Sequence, residues 1–238
     1  MPTNDFKIGV IGGYVSGKAT FLNALLKAPC FTMQSSKHNN ALVEIKASRN
    51  NKLTWRYFNP RTKNWQTDSE FLRESSKHKN LMVEVPFFRW GDVCFYDFPQ
   101  INDPADWLNI YSDDISQMNY ILCILDAEYA LLAKNMEIIK TIFRSHNKNF
   151  SVVLNKCDII DNIDDIKKRI LDLYAQRNIF LSVFTISSQL ELQRCLEPHK
   201  RAETFAFTKS REQVMTLCDL SFSDLRTMLY ETVNISKI

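Results

Sequence analysis

The chain has 238 residues, a formal net charge of +3, 45% hydrophobic and 24% charged side chains. That length suits one large domain, or one domain with an appendage. The small charge argues against nucleic acid or an anionic membrane surface as a partner; no run approaches the ~18 apolar residues of a membrane span, and a strand entered by Phe6 leaves no room for a signal peptide. The six cysteines (30, 94, 123, 157, 195 and 218) form no C-x-x-C pair and no metal-ligand spacing. The apolar settings of Cys94, Cys123 and Cys157 predict buried thiols in a reducing cytoplasm.

In chain order, Phe6 to Ile11 is a short apolar run suited to a buried strand. Four of the five glycines then fall between positions 9 and 17, in a chain otherwise poor in glycine. Glycine is needed where a backbone takes positive φ or approaches a ligand closely. Gly12 to Lys18 has the spacing G-x-x-x-x-G-K, a loop whose N–H groups surround phosphate oxygens ahead of a helix N-terminus. The helix follows, with Phe21, Leu22, Leu25 and Leu26 at helical spacing. Ala41 to Ala47 and Lys52 to Phe58 read as strands separated by the turn Arg49-Asn50-Asn51, and Asn59 to Lys63 as a second turn. Asp68 to Lys79 reads as a helix. Leu81 to Phe87 and Val93 to Phe98 read as a hairpin around Arg89-Trp90-Gly91-Asp92.

From Tyr120 the pattern alternates: strand to Leu125, helix Leu131 to Ser145, strand Phe150 to Leu154, helix Ile163 to Gln176, strand Ile179 to Ile186. Such alternation predicts an α/β fold, a doubly wound, mostly parallel sheet of about six strands with one antiparallel edge strand. Residues 191–238 read as a C-terminal helical extension, its last helix opening at Phe222 behind a serine cap. The domain reading is therefore 1–190 followed by 191–238.

A second motif, Asn155-Lys156-Cys157-Asp158, stands directly after a parallel strand, where ligands of such sheets bind. Thr185-Ile186-Ser187-Ser188 ends the next strand; a serine pair there also serves as an ordinary helix cap. Asp103 to Asp106 and Asp113-Asp114 read as a helix start and a solvated helix face. The four histidines read as surface residues. Arg61, Lys63 and Trp65 make too small a basic-aromatic turn for nucleic-acid binding. Phe87 to Trp90 reads equally as an interaction patch or as packing.

Together these residues resemble the translation-factor class of P-loop GTPases over about residues 6–190. Gly17 to Leu26 is most similar to the start of dynamin-like and Era-like G domains, and Tyr120 to Asp126 to the strand preceding their N-K-x-D strand. The resemblance implies GTP or GDP as ligand. Gly12, Gly13, Tyr14, Val15, Ser16, Gly17, Lys18, Ala19 and Thr20 would surround the phosphates. Asn155, Lys156 and Asp158 would read guanine, the aspartate accepting from N1–H and the exocyclic amine while the lysine stem lies along the base. Ser187 and Ser188 would support O6.

The sequence departs from this family at the positions that serve the metal and the switches. Ala19 replaces the hydroxyl that ligates Mg²⁺, and Thr20 lies about 100° further round the helix. Val15 replaces a serine or asparagine that helps hold a catalytic cation. No threonine occurs in Ser36 to Asn40, where the switch I ligand is expected. Asp97-Phe98-Pro99-Gln100 keeps the aspartate behind Mg²⁺ but replaces the following glycine. Asp97 and Thr20 are thus the remaining metal candidates, and Lys18 and Gln100 the catalytic ones. Because phosphoryl transfer depends on positioned charge, these losses predict a guanine-nucleotide binder with little or no hydrolysis and a weakened or absent Mg²⁺ requirement. Two rivals stand beside it: a pseudo-GTPase scaffold that docks a protein partner with static or no nucleotide, and an active GTPase completed by G-domain dimerisation. About 48 residues beyond the G domain are too few for the long stalk of membrane-remodelling relatives.

Overall fold

A computed structural model of the chain describes residues 5–13, 15–28, 30–31, 41–48, 52–59, 64–67, 80–86, 92–146, 149–176, 179, 181–196 and 211–235. The strands are β1 Phe6–Gly12, β2 Leu42–Ala47, β3 Thr54–Asn59, β4 Asn64–Thr67, β5 Asn80–Val85, β6 Val93–Asp97, β7 Tyr120–Asp126, β8 Asn149–Asn155 and β9 Ser182–Thr185. The helices are α1 Lys18–Leu26, α2 Pro104–Ser116, α3 Ala133–His146, α4 Ile163–Ala175, α5 Ser188–Leu196 and α6 Arg211–Ile235. The strands make one sheet in the order β4-β3-β5-β2-β6-β1-β7-β8-β9. Strands β6, β1, β7, β8 and β9 run parallel.

Continuous apolar runs occupy the centre of this parallel half because helices cover both faces. Alternate side chains of β7 divide between two cores. Tyr120, Leu122 and Ile124 join Ile8, Val10, Phe21 and Leu25 on the α1 face. Ile121, Cys123 and Leu125 join Ile11, Trp107, Ile138, Ile139 and Ile170 on the face covered by α2, α3 and α4. All seven residues of β7 are buried.

The other half of the sheet differs from expectation. The hairpin expected from Leu81 to Phe98 does not form, because β2 lies between its two strands. It pairs parallel to β5 and antiparallel to β6, with Val43 opposite Asp97 and Ile45 opposite Phe95. Insertion between two strands buries Val43 and Ile45, an apolar pair that a strand at the sheet's rim would leave half exposed. Strands β2 and β3 likewise do not pair; β5 separates them. The unforeseen β4 is polar except for one tryptophan and exists by pairing with β3. Among the described residues the sheet therefore has nine strands, and its antiparallel pairs are β2 with β6, β5 with β3 and β3 with β4 rather than one edge strand. The expected turn at 60–63, helix at 68–79 and aromatic tip at 87–90 lie outside the described residues.

The last helix starts at Arg211, so Phe222 lies inside α6 and no serine caps it there. Phe222, Leu225, Leu229 and Val233 form an apolar stripe packed on the α1 face, with the Phe21 and Phe222 rings stacked 6.2 Å apart. Burial of that stripe carries the helix through the local serine signal. Arg226 fixes its register. Its guanidinium donates to Glu191 Oε1 of α5 at 2.8 Å and to the Ala24 carbonyl of α1 at 3.2 Å. Among the described residues, no helix is long and apolar enough to cross a membrane.

Because the Glu191 side chain is only 1% exposed, removing the Arg226 guanidinium takes a counter-charge from a buried carboxylate. Arg226→Ala is expected to lower stability by about 3 kcal/mol. Urea unfolding should show the Arg226→Ala/Glu191→Ala double variant losing less than the two single variants combined.

Candidate functional site

The parallel strands end side by side, and their carboxyl ends carry the two sequence motifs. Strand β1 stops at Gly12, where an added Cβ would lie 2.5 Å from the Ile124 carbonyl and 2.8 Å from Ser16 Oγ. The chain then turns through Val15, held at φ 62° and 58% exposed. Ser16 folds back to donate its hydroxyl to the Gly13 carbonyl at 3.0 Å. Gly17 precedes α1 in the left-handed region, φ 83°, with no side chain capping the helix. The first N–H groups of α1 are thus presented to the loop without a carboxylate or hydroxyl in front of them, an arrangement suited to an anion.

Lys18 reaches back to the Gly12 carbonyl, Nζ to O 3.4 Å. Burial lowers its pKa, and the Asp97 carboxylate opposes that shift. Asp97, at the end of β6, is pushed up to about 6 by burial, with the Lys18 charge pulling the other way. The Cys123 thiol is buried beneath and pushed up to about 12. A lysine and an aspartate that both resist charging have lost water without gaining a full set of partners.

Asn155 joins the two motifs. Its amide donates to the Ser16 carbonyl at 3.0 Å, and its oxygen accepts the Ser188 N–H at 3.0 Å. A Cβ on Gly17 would collide with that amide, so the second glycine of the loop serves both the helix start and this contact. Lys156 follows in the left-handed region, φ 63°, and its ammonium meets Asp126 Oδ2 at 2.6 Å. The Cys157 N–H donates to the Ile186 carbonyl at 3.1 Å, tying the loop to the next strand. Ser187 behaves as the cap expected of it, accepting the Leu190 N–H at 3.3 Å.

Four buried side-chain polar atoms among the described residues have no hydrogen-bond partner. Three of them, Asp97 Oδ1, Asp158 Oδ1 and Ser188 Oγ, lie in these strand-end loops. Buried polar groups are normally paired, and these three fall at the carboxyl end of the parallel sheet, where sheets of this kind bind ligands.

The segment after β6 is held along the loop. The Phe98 and Ile101 N–H groups donate to the Val10 and Gly12 carbonyls at 3.0 and 3.1 Å, and the Trp107 indole donates to the Pro99 carbonyl at 2.9 Å. Half-buried Gln100 lies between these anchors. Tyr14 and residues 36–40 lie outside the described residues. Asp103 caps α2, accepting from the Ala105 and Asp106 N–H groups at 2.9 and 3.0 Å, in keeping with the structural reading of that acidic stretch. Asp126 lies outside both motifs; its signal in the sequence is a carboxylate ending a strand that is otherwise apolar.

Among the described residues beside the phosphate loop, few side-chain oxygens face a metal. Ala19 packs against the apolar core with no oxygen to give, Thr20 follows one position round α1, and Asp97 is a single carboxylate with one orphaned oxygen. No cluster of three or more potential ligands occurs among the described residues.

A glycine-rich loop opening a helix, bolted by an N-K-x-D asparagine across the carboxyl ends of β1 and β8 with β7 between them, defines a nucleotide-binding P-loop protein of the GTPase fold. The Dynamin family profile matches residues 8–157, more than half of the chain, and the chain belongs to that family. Two solved structures of an oligomerised bacterial dynamin pair, described as sensing and tethering membranes at long range, share the fold. The first superposes with a TM-score of 0.70 at 12% identity over 96% of this chain and 38% of that one. The second gives 0.69 at 13% identity over 97% and 45%. The chain thus spans less than half the length of either protein. No curated protein sequence matches it significantly.

Gly17→Ala places a methyl group against Asn155 at a backbone angle alanine resists, so nucleotide binding should fall at least tenfold, measured by fluorescent-nucleotide titration. Asp97 binds its proton more tightly folded than unfolded. Its contribution therefore favours the unliganded fold at low pH and is lost as pH rises from about 4 to about 6. Asp97→Asn should raise unliganded stability at pH 7 by about 2 to 3 kcal/mol and flatten this part of the stability–pH profile.

Proposed function

We propose that the chain binds guanine nucleotide and turns it over slowly or not at all. The observation carrying this reading is the set of unpartnered buried atoms around an Asn155-bolted loop. Asp158 Oδ1 and Ser188 Oγ stand on the base side and Asp97 Oδ1 on the phosphate side. In this reading Gly12, Gly13 and the N–H groups of residues 15–20 receive the phosphates, with Lys18 supplying positive charge. Asp158 accepts from guanine N1–H and the exocyclic amine, the Lys156 stem lies along the base, and Ser187 and Ser188 support O6. Residues 1–190 act as the G domain and 191–238 as an extension whose helix α6 docks on the α1 face, with α5, Ser188–Leu196, running across that boundary.

The nucleotide is held chiefly by backbone N–H groups, Lys18 and the base loop, because Ala19 offers no ligand to Mg²⁺. With the metal's P-loop ligand absent and Gln100 in place of the switch II glycine, charge stabilisation of phosphoryl transfer is depleted at several points. The bacterial dynamins of similar fold form an oligomerised pair, and by analogy this chain assembles with a second copy or a protein partner. A cytoplasmic setting is consistent with the unpaired, buried thiols of Cys30, Cys94 and Cys123.

Incubation with GTP and Mg²⁺, followed by separation of bound nucleotide and its resolution into GTP and GDP, tests the reading. Bound GTP that persists for hours is the expected result. Steady GDP release that disappears in Lys18→Ala overturns the deficient hydrolysis, and turnover rising with protein concentration favours completion by a second copy. Absence of bound nucleotide overturns the binding itself and favours the scaffold. Chelation by EDTA should leave nucleotide affinity nearly unchanged in the native chain, whereas Ala19→Ser should gain roughly tenfold in affinity from added Mg²⁺.

A further inference from the structure

We infer that Asp126 is a positioning residue for base recognition: its carboxylate anchors the Lys156 ammonium and stretches the lysine stem across the base pocket. The inference rests on the guanine reading above and assigns a part to a residue outside both sequence motifs. Asp126 lies directly opposite Asn155 in the parallel register of β7 and β8. The left-handed backbone at Lys156 starts the side chain from the end of β8, and the contact with Asp126 Oδ2 carries its tip to the end of β7. The four-carbon stem therefore bridges two neighbouring strand ends beside Asp158.

Both carboxylate oxygens are committed. While Oδ2 holds the ammonium, Oδ1 accepts the Glu128 N–H at 3.1 Å and caps the short helical turn Ala127–Tyr129. The carboxylate cannot rotate away without losing one of these bonds. At 9% exposure it sits in a low-dielectric setting, while the lysine side chain keeps 32% exposure, so the stem stays open on its outer side. A free lysine samples many rotamers, and fixing it has an entropic cost. Asp126 has met that cost before the base arrives. A pre-formed apolar shelf supports the flat face of a purine without distinguishing one purine from another; that discrimination belongs to Asp158.

This separation of roles makes the inference testable. Asp126→Asn keeps an oxygen for the Glu128 N–H but loses the charge that holds Lys156. Displacement of mant-GDP by GDP and by IDP, which lacks the exocyclic amine, should be measured for the native chain, Asp126→Asn, Lys156→Met and the double variant. Asp126→Asn is expected to weaken GDP and IDP alike by about tenfold. The GDP-over-IDP preference should be kept, and Tm should fall by no more than about 2 °C. In the Lys156→Met background the same substitution should bring no further loss. Native affinity in Asp126→Asn, or an equal loss in the two backgrounds, overturns the inference. Loss of the GDP preference together with a larger fall in Tm does so too, because Asp126 would then only hold the loop in shape. Failure of the native chain to bind mant-GDP overturns the underlying reading and this inference with it.

Discussion

The side-chain amide of Asn155 is the contact on which the site depends. One amide reaches the phosphate loop through the Ser16 carbonyl and the α5 N-terminus through the Ser188 N–H. These loops are far apart in sequence and each is short, so none could hold its position from local interactions alone. A buried amide with both ends engaged is costly to rearrange, and here it also requires that residue 17 carry no Cβ. The glycine–lysine motif and the N-K-x-D motif are therefore two sides of one contact.

Around this bolt the protein is locally unfavourable to itself. Lys18 and Asp97 are buried with ionisation opposed by desolvation. Asp158, Ser188 and Asp97 keep buried oxygens without partners, and Val15 holds a left-handed backbone that a β-branched residue resists. The well-packed cores on either side of β7 supply the stability against which such conflicts persist. Strain and unsatisfied polarity thus gather at one end of the sheet, the end at which the proposed nucleotide would bind. The aspartate–lysine contact beside it extends the same logic, since a buried carboxylate with both oxygens used holds a flexible side chain in one place.

The C-terminal helix is part of the same framework. Its apolar stripe completes the core under α1, and Arg226 touches both the helix that begins at the phosphate loop and the helix that begins beside the base loop.

Local chemistry sufficed for the phosphate loop, the parallel half of the sheet and the N-K-x-D loop. Glycine spacing, runs such as Tyr120 to Leu125 and a motif after an apolar strand each state their conformation within a few residues. The absence of a side-chain oxygen at Ala19 was legible in the same way, as a missing functional group. Tertiary structure decided what depends on distant partners. The placing of β2 between β5 and β6 reflects burial of Val43 and Ile45, which no turn signal encodes. The polar strand β4 exists only because β3 offers it an edge. The continuity of α6 through its serine rests on packing against Phe21 and its neighbours. The part played by Asp126 appears only when β7 and β8 bring it opposite the base loop, because a lone carboxylate at the end of a strand has no meaning until its cation is beside it.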